Sequence, residues 1–233
     1  HKPQLSENIG ACARSLKNFN FSKLIVINPK TLFPNDKIIA TSVGAKDLIK
    51  NTKVFQNIET AINKFDCVIA TTSRFRNKNI KHLTINDLKK LDFRKKTAFL
   101  FGSESSGLSN HEISYANYTL KIPTNPKFKS LNLSHSVIII SQIVSNLIAT
   151  TSVNFVKSKK IKTASKIDIK KMVNLCIDNL EKKKFFKPKE KKPIMLENLR
   201  SIFYKMDLSQ KEIRILSSVF ASISKKVDWQ NEE

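Results

Sequence analysis

Residues 121–140 (KIPTNPKFKSLNLSHSVIII) combine two prolines, a run of short polar side chains and a long apolar segment. Pro123 and Pro126 exclude a helix and hold the backbone extended or turned. Ser130-Leu131-Asn132 then leads directly into the apolar run. A rigid turn that ends in polar side chains at a helix N-terminus is suited to holding a small polar ligand. Taken alone, however, the stretch fits an ordinary strand–loop–helix connection better.

A second stretch, residues 99–110 (FLFGSESSGLSN), carries two of the four glycines of the chain. An apolar segment at 98–101 predicts a buried strand, which runs into a loop containing Gly102, Glu104 and Gly107. Glycines in such a loop let the backbone approach a ligand closely. The loop therefore adds a second candidate for ligand binding.

A third stretch lies near the start, at residues 8–19 (NIGACARSLKNF). Residues 6–19 are predicted to form a helix capped by Ser6, with one buried face formed by Ile9, Cys12, Ala13 and Leu16. Arg14 falls on another face of this helix. A lone arginine on a helix is most often a solvated surface residue, so Arg14 by itself indicates little.

The charge of the chain points to a polyanionic partner. Of the 233 residues, 42 are Lys or Arg and 19 are Asp or Glu, which gives a net charge of +23 and a pI near 10.0. Nucleic acid is the first candidate and a membrane surface the second. An AT-rich genome would explain the excess of Lys over Arg, but it does not explain the shortage of acids.

Several classes of protein are excluded by what the sequence lacks. Its three cysteines, Cys12, Cys67 and Cys176, are far apart and form no C-x-x-C motif, and its four histidines show no ligand spacing. A structural zinc site and a disulfide framework are therefore not expected, and a reducing cytoplasm fits. No apolar run has membrane-spanning length and no signal peptide is visible. We expect a cytoplasmic protein with no membrane contact.

Strands and helices are predicted to alternate along the first half of the chain, which favours a mostly parallel α/β sheet. The predicted strands lie at 24–28, 54–55, 67–70, 97–101 and 120–122, and the predicted helices at 44–50, 57–64 and 84–91. The polar run Thr71-Thr72-Ser73 follows a strand, and ligands bind at the carboxyl ends of such strands. A dinucleotide-binding Rossmann domain is excluded because no G-x-G-x-x-G occurs.

The second half is predicted to be helical. The helix that follows Asn132 is apolar on nearly every side to Ile148, so it must be buried by the domain or by a second subunit. Residues 150–165 are polar and Lys-rich and are interpreted as a linker. Three helices are predicted beyond it, at 166–184, 193–205 and 209–227.

A basic run in this second half interrupts its lysines with two aromatic residues, Phe185 and Phe186. Lysines neutralise phosphates, and exposed aromatic rings stack on unpaired bases. RNA contact is the better interpretation for the lysines. For the two phenylalanines, base stacking and burial in the core are equally plausible.

Taken in chain order, the three stretches resemble the motifs of the SpoU-type RNA ribose 2′-O-methyltransferases of the SPOUT superfamily. The motifs are N-x-G-x-x-x-R, F-G-x-E-x-x-G-L-S and I-P-x-N-P-x-x-x-S-L-N-L-S. Each motif is weak alone, but all three in order over about 125 residues are specific. The resemblance covers residue 2 to about residue 148. The tail resembles the helical extension of the TrmJ branch of that family.

This resemblance implies a fold and a domain organisation. The fold would be α/β, with a mostly parallel sheet, a C-terminal trefoil knot and a small all-helical extension. Residues 1–151 would form the methyltransferase domain, 152–165 the linker and 166–233 the extension. A homodimer is implied, as is a strand just before Lys2-Pro3-Gln4, part of which would precede His1.

The resemblance also implies an activity. The protein would use S-adenosyl-L-methionine, without a metal, to methylate an RNA ribose 2′-hydroxyl, in this branch that of cytidine or uridine at tRNA position 32. The alternatives are methylation of rRNA or of another tRNA position, and a catalytically inactive RNA-binding relative. A methyltransferase acting on a base or on a protein is a further alternative.

The implied site residues fall into three groups. The catalytic group is Asn8, Arg14, Glu104, Ser130 and Asn132. The cofactor-binding group is Thr71, Thr72, Ser73, Leu100, Gly102, Gly107, Ile122, Ser130, Leu131 and Asn132. The RNA-binding group is Arg14, Lys182, Lys183, Lys184 and Lys187. In the family, the arginine that matches Arg14 activates the hydroxyl. Because an unperturbed guanidinium stays protonated, Arg14 would need help to act as a base, or would instead orient a phosphate.

Overall fold

The computed structural model describes residues 1–73, 80–151 and 163–223. Its strands are β1 Ile25–Ile27, β2 Lys53–Phe55, β3 Cys67–Thr71, β4 Lys81–Leu83, β5 Thr97–Leu100 and β6 Tyr118–Leu120. Its α-helices are α1 Ser6–Asn18, α2 Asp36–Thr41, α3 Lys46–Lys50, α4 Ile58–Ile62, α5 Asn110–Ile113, α6 Leu133–Thr151, α7 Lys166–Lys182, α8 Lys192–Lys205 and α9 Gln210–Ile223. Two 3-10 turns lie at Ile85–Lys90 and Lys189–Lys191.

Strand β3 is the centre of a four-stranded sheet of order β4-β6-β3-β5. Val68 and Ala70 face one apolar cluster, whereas Cys67 and Ile69 face another. A strand buried on both faces is expected to be apolar throughout, which is what the CVIAT sequence shows. All strand pairs in the described ranges are parallel, so the predicted parallel sheet is confirmed.

A second, two-stranded sheet consists of β1 and β2. The first two residues of the chain lie between the two sheets: the His1 backbone nitrogen donates to Phe101 O (2.8 Å) and the Lys2 amide donates to Ile27 O (2.7 Å). An apolar cavity of about 440 Å³ lies beside them, lined by β1, β5, α1 and α6. The facing ends of β1 and β5 are thus connected through the chain start.

Helix α1 packs between α2 and α6. Ile9, Cys12 and Ala13 are buried as predicted, and Leu16 is partly buried against the same cluster. The expectation that Ser6 caps the helix is wrong: Leu5 is the N-cap, and Ser6 lies inside the first turn, where its Oγ accepts a hydrogen bond from Asn35 Nδ2 (2.8 Å). The Ser6 hydroxyl, which the sequence predicted to cap α1, thus accepts a hydrogen bond from Asn35 in a neighbouring loop.

Helix α6 begins one residue after Asn132, as predicted. Val137, Ile140 and Val144 are buried against the sheet. Ile148, by contrast, is 41% exposed, and several other apolar residues of the helix are only half buried. The chain itself therefore buries one side of a helix that is apolar on nearly all sides.

The three tail helices are present, although α9 is described only to Ile223, and residues 152–162 of the predicted linker lie outside the described ranges. Ala164, within the predicted linker, is buried, and its amide donates to Leu208 O (2.7 Å). One apolar cluster includes Ile58 and Ile62 of α4 together with Met172 of α7. The tail is therefore packed on the α/β part. The predicted domain boundaries stay a prediction.

Three elements were not predicted, namely β4, α2 and α5. Each is short, and α2 and α5 owe their starts to side-chain caps from Asn35 and Ser109 rather than to apolar periodicity. The helix predicted at 84–91 is a 3-10 turn, which begins with a capping box between Thr84 and Asp87.

Candidate active site

The loops that follow β3, β5 and β6 meet at one cavity of about 640 Å³. These strands are parallel neighbours, so their carboxyl ends lie at the same edge of the sheet. Eight residues predicted to bind the cofactor line this cavity: Thr71, Thr72, Ser73, Gly102, Gly107, Ile122, Ser130 and Leu131. Glu104 lines it as well. A volume of this size suits a small molecule, whose sites span roughly 300–1,000 Å³.

Two predicted cofactor residues do not line the cavity, Leu100 and Asn132. Leu100 is buried, and its carbonyl oxygen accepts a hydrogen bond from Thr71 Oγ1 (3.2 Å). That bond joins the ends of β3 and β5 beneath the cavity. Asn132 instead bonds to α1, as described below.

Two glycines shape the loop after β5. A Cβ atom on Gly102 would lie 2.2 Å from the carbonyl carbon of Gly107, so no other residue fits without moving the backbone. Gly107 has φ +66°, a conformation that L side chains rarely adopt. Its amide donates to Ser103 O (2.9 Å), which closes the loop. Each of the two positions therefore requires glycine, Gly102 because a Cβ would clash and Gly107 because of its backbone conformation.

The carboxylate of Glu104 ties this loop to the start of α1. It accepts hydrogen bonds from the backbone amides of Gln4 (2.8 Å) and Leu5 (3.2 Å) and from Asn8 Nδ2 (2.9 Å). Leu5 offers no side-chain cap, so the carboxylate takes over amide groups at the positive end of the helix. Two of these three bonds hold the backbone just before α1.

Asn8 and Asn132 extend this connection to the loop after β6. Asn132 Nδ2 donates to Asn8 Oδ1 (3.0 Å), while Asn132 Oδ1 accepts from the amide (2.8 Å) and Oγ (2.7 Å) of Ser134. Asn8 is buried, with 6% of its surface exposed. A single chain of hydrogen bonds, from Glu104 through Asn8 to Asn132, thus joins the three sequence motifs.

The hydrogen bonds also set the protonation of Glu104. Partial burial raises the pKa of this carboxyl, but the bonds from Asn8 and from the amides of Gln4 and Leu5 outweigh burial and leave the pKa below its usual value. Glu104 is therefore a carboxylate at neutral pH, with its acceptor positions directed toward α1.

Arg14 lies on α1, six residues beyond Asn8 and so roughly 9 Å further along the helix axis. It is exposed and does not line the cavity. The structure gives it no hydrogen bond or ion pair with the residues described. Its guanidinium therefore stands in solvent, available to an external anion.

Sequence analysis missed two cations at the mouth of the cavity, Lys127 and Lys129. Both are exposed, and they flank Phe128, which is 73% exposed. The alternation of lysine and phenylalanine within the third motif is the signal that could have identified them.

The basic run of the tail lies around the end of α7. Lys182, Lys183, Lys184 and Lys187 are all exposed, and within the described ranges none of them forms an ion pair. Burial in the core is confirmed for Phe186, at 8% exposure, whereas Phe185 is 53% exposed and its stacking on a base stays a prediction. Only Phe185 is therefore free to meet a base.

Neither a metal cluster nor a membrane span is found in the parts of the chain that the structure describes. No group of three or more His, Cys, Asp or Glu residues there could hold a metal ion. No helix there is long and apolar enough to cross a membrane.

The chain is similar to known proteins along almost its whole length. The model of the SpoU rRNA Methylase family matches residues 1–142. The tRNA (cytidine-2′-O-)-methyltransferase TrmJ of Sulfolobus acidocaldarius is 32% identical over 238 residues, which cover 97% of this chain and 93% of that protein. The tRNA (cytidine/uridine/adenosine-2′-O-)-methyltransferase TrmJ of Pseudomonas aeruginosa is 26% identical and covers 94% of this chain and 89% of its own.

A solved structure agrees with these relatives. The crystal structure of TrmJ from Z. mobilis ZM4 superimposes with a TM-score of 0.86 at 27% identity and covers 96% of each chain. The chain therefore belongs to the SpoU rRNA methylase family. Within that family its place is in the TrmJ branch, as its relatives span the helical tail as well as the α/β part.

Proposed function

We propose that this protein transfers a methyl group from S-adenosyl-L-methionine to a ribose 2′-hydroxyl of tRNA. One observation carries the proposal: the hydrogen-bond chain from Glu104 through Asn8 to Asn132 holds all three motifs around a single cavity of small-molecule size. The full-length likeness to tRNA 2′-O-methyltransferases supports the choice of tRNA.

The residues of the cavity fit the cofactor. Thr71, Thr72, Ser73 and Ser130 offer hydroxyl groups, and Ile122 and Leu131 offer apolar contact for a flat base. The backbone of Gly102 has no side chain between it and a ligand. When bound, the cofactor supplies an electrophilic methyl group, a reaction that needs no metal ligand.

The contribution of the protein is then mainly positioning. A ribose hydroxyl is a poor nucleophile, so the rate depends on holding it in line with the methyl donor while its proton leaves. Ser130 at the cavity and Asn132 behind it position the loop and the hydroxyl. We assign Arg14 to the substrate: its free guanidinium is suited to a bidentate phosphate contact and poorly suited to accept a proton.

The finer identity of the substrate is cytidine or uridine at tRNA position 32. The printed names of the relatives differ in the nucleosides they cover, cytidine alone in one and three nucleosides in another. The described residues that line the cavity include none that we assign to base selection. The lysines of the tail contact phosphates, which position the RNA but do not distinguish one base from another.

We also propose a homodimer in which α6 contributes to the interface, because Ile148 and the half-buried apolar residues of α6 remain partly exposed in the single chain. Light scattering, which measures the molar mass of the protein in solution, tests the homodimer directly. Three further points complete the proposal and rest on membership of the family. They are a trefoil knot formed by the segment around 121–151, a domain division at 151 and 166, and action in the cytoplasm.

Cofactor binding is the first test. The native protein should bind S-adenosyl-L-methionine equally with and without a chelator in isothermal titration calorimetry. Gly102→Ala should lower the affinity about tenfold or more, because its Cβ displaces the Gly107 backbone from the cavity wall. Absence of binding by the native protein, or its loss on chelation, would contradict the proposal.

Gly44→Ala is the matched control. Gly44 has φ +75° but lies away from the cavity with open space around it. Its replacement should reduce stability through backbone strain and leave cofactor affinity unchanged.

A further inference from the structure

Residues 125–128 form a tight turn at the rim of the cavity. The Phe128 amide donates to Asn125 O (3.0 Å) and the Lys127 amide donates to Asn125 Oδ1 (2.9 Å). Pro126 fixes one further backbone angle. The turn is thus held by its own bonds and presents its side chains in a defined place.

Phe128 at this turn is the most exposed phenylalanine among the described residues, at 73%. It belongs to none of the three apolar clusters of the chain. A large aromatic ring held in solvent on a fixed turn contributes nothing to the core. Such rings are suited to stacking on a flat partner.

Lys127 and Lys129 flank this ring and line the cavity. Neither forms an ion pair with a described residue. Glu104 also lines the cavity, but its carboxylate already accepts three hydrogen bonds from α1 and the residues before it. The rim therefore combines one exposed ring with two lysines that have no ion-pair partner among the described residues.

We propose that Lys127-Phe128-Lys129 is a clamp for single-stranded RNA, in which Phe128 stacks on an unpaired base next to the reacting ribose and the lysines contact the phosphates on either side. Unpaired bases in RNA loops are bound in this way, since their faces are free to stack. The clamp makes a loop rather than a paired stem the substrate. This inference rests on the proposed function, because it assigns the substrate contacts of the same cavity.

The test measures RNA binding separately from turnover. Binding of an anticodon stem-loop RNA and of a fully paired hairpin, closed by a linker without bases, is followed by fluorescence anisotropy for the native protein, Phe128→Tyr and Phe128→Leu. Tyrosine keeps an aromatic face, whereas leucine keeps only apolar bulk. Leu32→Ala, at a residue 84% exposed and away from the cavity, is the control.

We expect Phe128→Leu to weaken binding of the stem-loop about tenfold or more and to leave the paired hairpin and cofactor affinity unchanged. Phe128→Tyr should bind the stem-loop like the native protein. The clamp is refuted if leucine and tyrosine bind equally well, or if Phe128→Leu loses cofactor affinity instead. Because binding is read without turnover, failure of the native protein to methylate RNA would refute the proposed function and not the clamp.

Discussion

Asn8 shows why the site needs an amide rather than an acid at one position. Its Nδ2 donates to a carboxylate of the second motif, and its Oδ1 accepts from the amide of the third. An aspartate here could still accept from Asn132, but it would face Glu104 with like charge and could not donate to it. One side chain with both a donor and an acceptor is therefore required to connect the motifs.

Glu104→Gln tests this connection. Glutamine replaces one of the two acceptor oxygens by an NH2 group, so at least one of the three donors loses its acceptor and the free energy of unfolding at pH 7 should fall by about 1–3 kcal/mol. In the folded protein the hydrogen bonds from Asn8 and the backbone amides outweigh burial and hold the pKa of Glu104 below its usual value. The stability that the carboxylate supplies is therefore present above about pH 4.5 and is lost as the pH falls through the folded pKa.

Urea unfolding of native protein and variant from pH 7 to pH 3 measures the difference. It should be largest at pH 7 and shrink in acid. Glu7→Gln is the control, at a surface carboxylate paired only with Lys37 (3.4 Å), and should change stability by less than about 0.5 kcal/mol. A gap between native and Glu104→Gln that stays constant with pH would show that the charge of Glu104 is unimportant.

Arg14→Ala tests the assigned substrate contact. Because Arg14 is exposed and leaves the apolar face of α1 untouched, the variant should fold and bind the cofactor like the native protein. Methyl transfer should fall by a factor of about 100 or more, since positioning contributes much of the rate. Arg14→Lys should not restore it, because an ammonium cannot make the planar two-point contact.

Turnover kinetics, calorimetry of cofactor binding and thermal melting of the same variants distinguish a substrate contact of Arg14 from a structural role. Lys17→Ala, one turn further along α1 and paired with Asp47 (2.6 Å), is the matched control and should keep near-normal turnover. Near-normal turnover by Arg14→Ala would remove Arg14 from the catalytic group. A lowered melting temperature would instead make it a structural residue.

At the scale of elements, segments with a clear apolar pattern were predictable, whereas β4, α2 and α5 were not. The CVIAT run of β3 and the amphipathic α7 carry their own patterns, so sequence predicted both. Helix α2 depends on the Asn35 cap, and β4 is only three residues with one buried side chain. In the sequence, neither a single capping residue nor one buried side chain in three residues distinguishes an element from an ordinary loop.

The same limit applies to the site. The family resemblance implied one site formed by the loops that contain Thr71, Gly102 and Ser130, and in the structure all three residues line one cavity. The direction of a side chain within a loop did not follow. Sequence analysis placed Asn132 in the cofactor site, but its amide points to Asn8. It also overlooked Lys127, although the alternation of lysine and phenylalanine at 127–129 was a usable signal.

The end of α7 is the second RNA-binding element that we propose. Met172, Val173 and Ile177 of this helix are buried in the core, so exposed lysines at its end can be changed without opening the fold. Changing Lys182, Lys183 and Lys184 together to Ala should weaken tRNA binding and flatten its dependence on salt. Each lost phosphate contact reduces the logarithmic slope by roughly 0.7–0.9.

Filter binding at several salt concentrations measures the slope. The control is a second triple variant that removes the same charge from another part of the chain. It changes three other exposed lysines to Ala, namely Lys46, Lys50 and Lys53. Cofactor affinity should not change in either triple. Equal effects of the two triples would show that net charge, and not this surface, is responsible.

At the scale of the whole molecule, the tail is fixed to the α/β part. Lys166 at the start of α7 is buried, and its amide donates to Phe65 O (3.0 Å), just before β3. Lys170 pairs with Glu59 of α4 (2.6 Å). Removing the tail would expose the shared core, so substitution of surface lysines tests RNA binding better than truncation does.

This attachment matters because the substrate is larger than the cavity. Residues 157–233 contain 20 Lys and Arg against 10 Asp and Glu, so the tail supplies +10 of the total charge of +23 and the remainder supplies the rest. The tail and the α/β part can therefore both bind phosphates of one RNA, at a fixed distance from each other. A tail held at a fixed distance from the cavity selects which nucleotide of a folded RNA reaches it.

The most direct test of the central claim is to locate the methyl group. Purified protein is incubated with S-adenosyl-L-methionine and unmodified tRNA transcripts, and the RNA is digested and analysed by mass spectrometry of nucleosides and fragments, with Arg14→Ala in parallel. We predict 2′-O-methylcytidine or 2′-O-methyluridine at position 32 of the anticodon loop, made by the native protein and lost in the variant. A methyl group on a base, or methylation of rRNA but not of tRNA, would contradict the account.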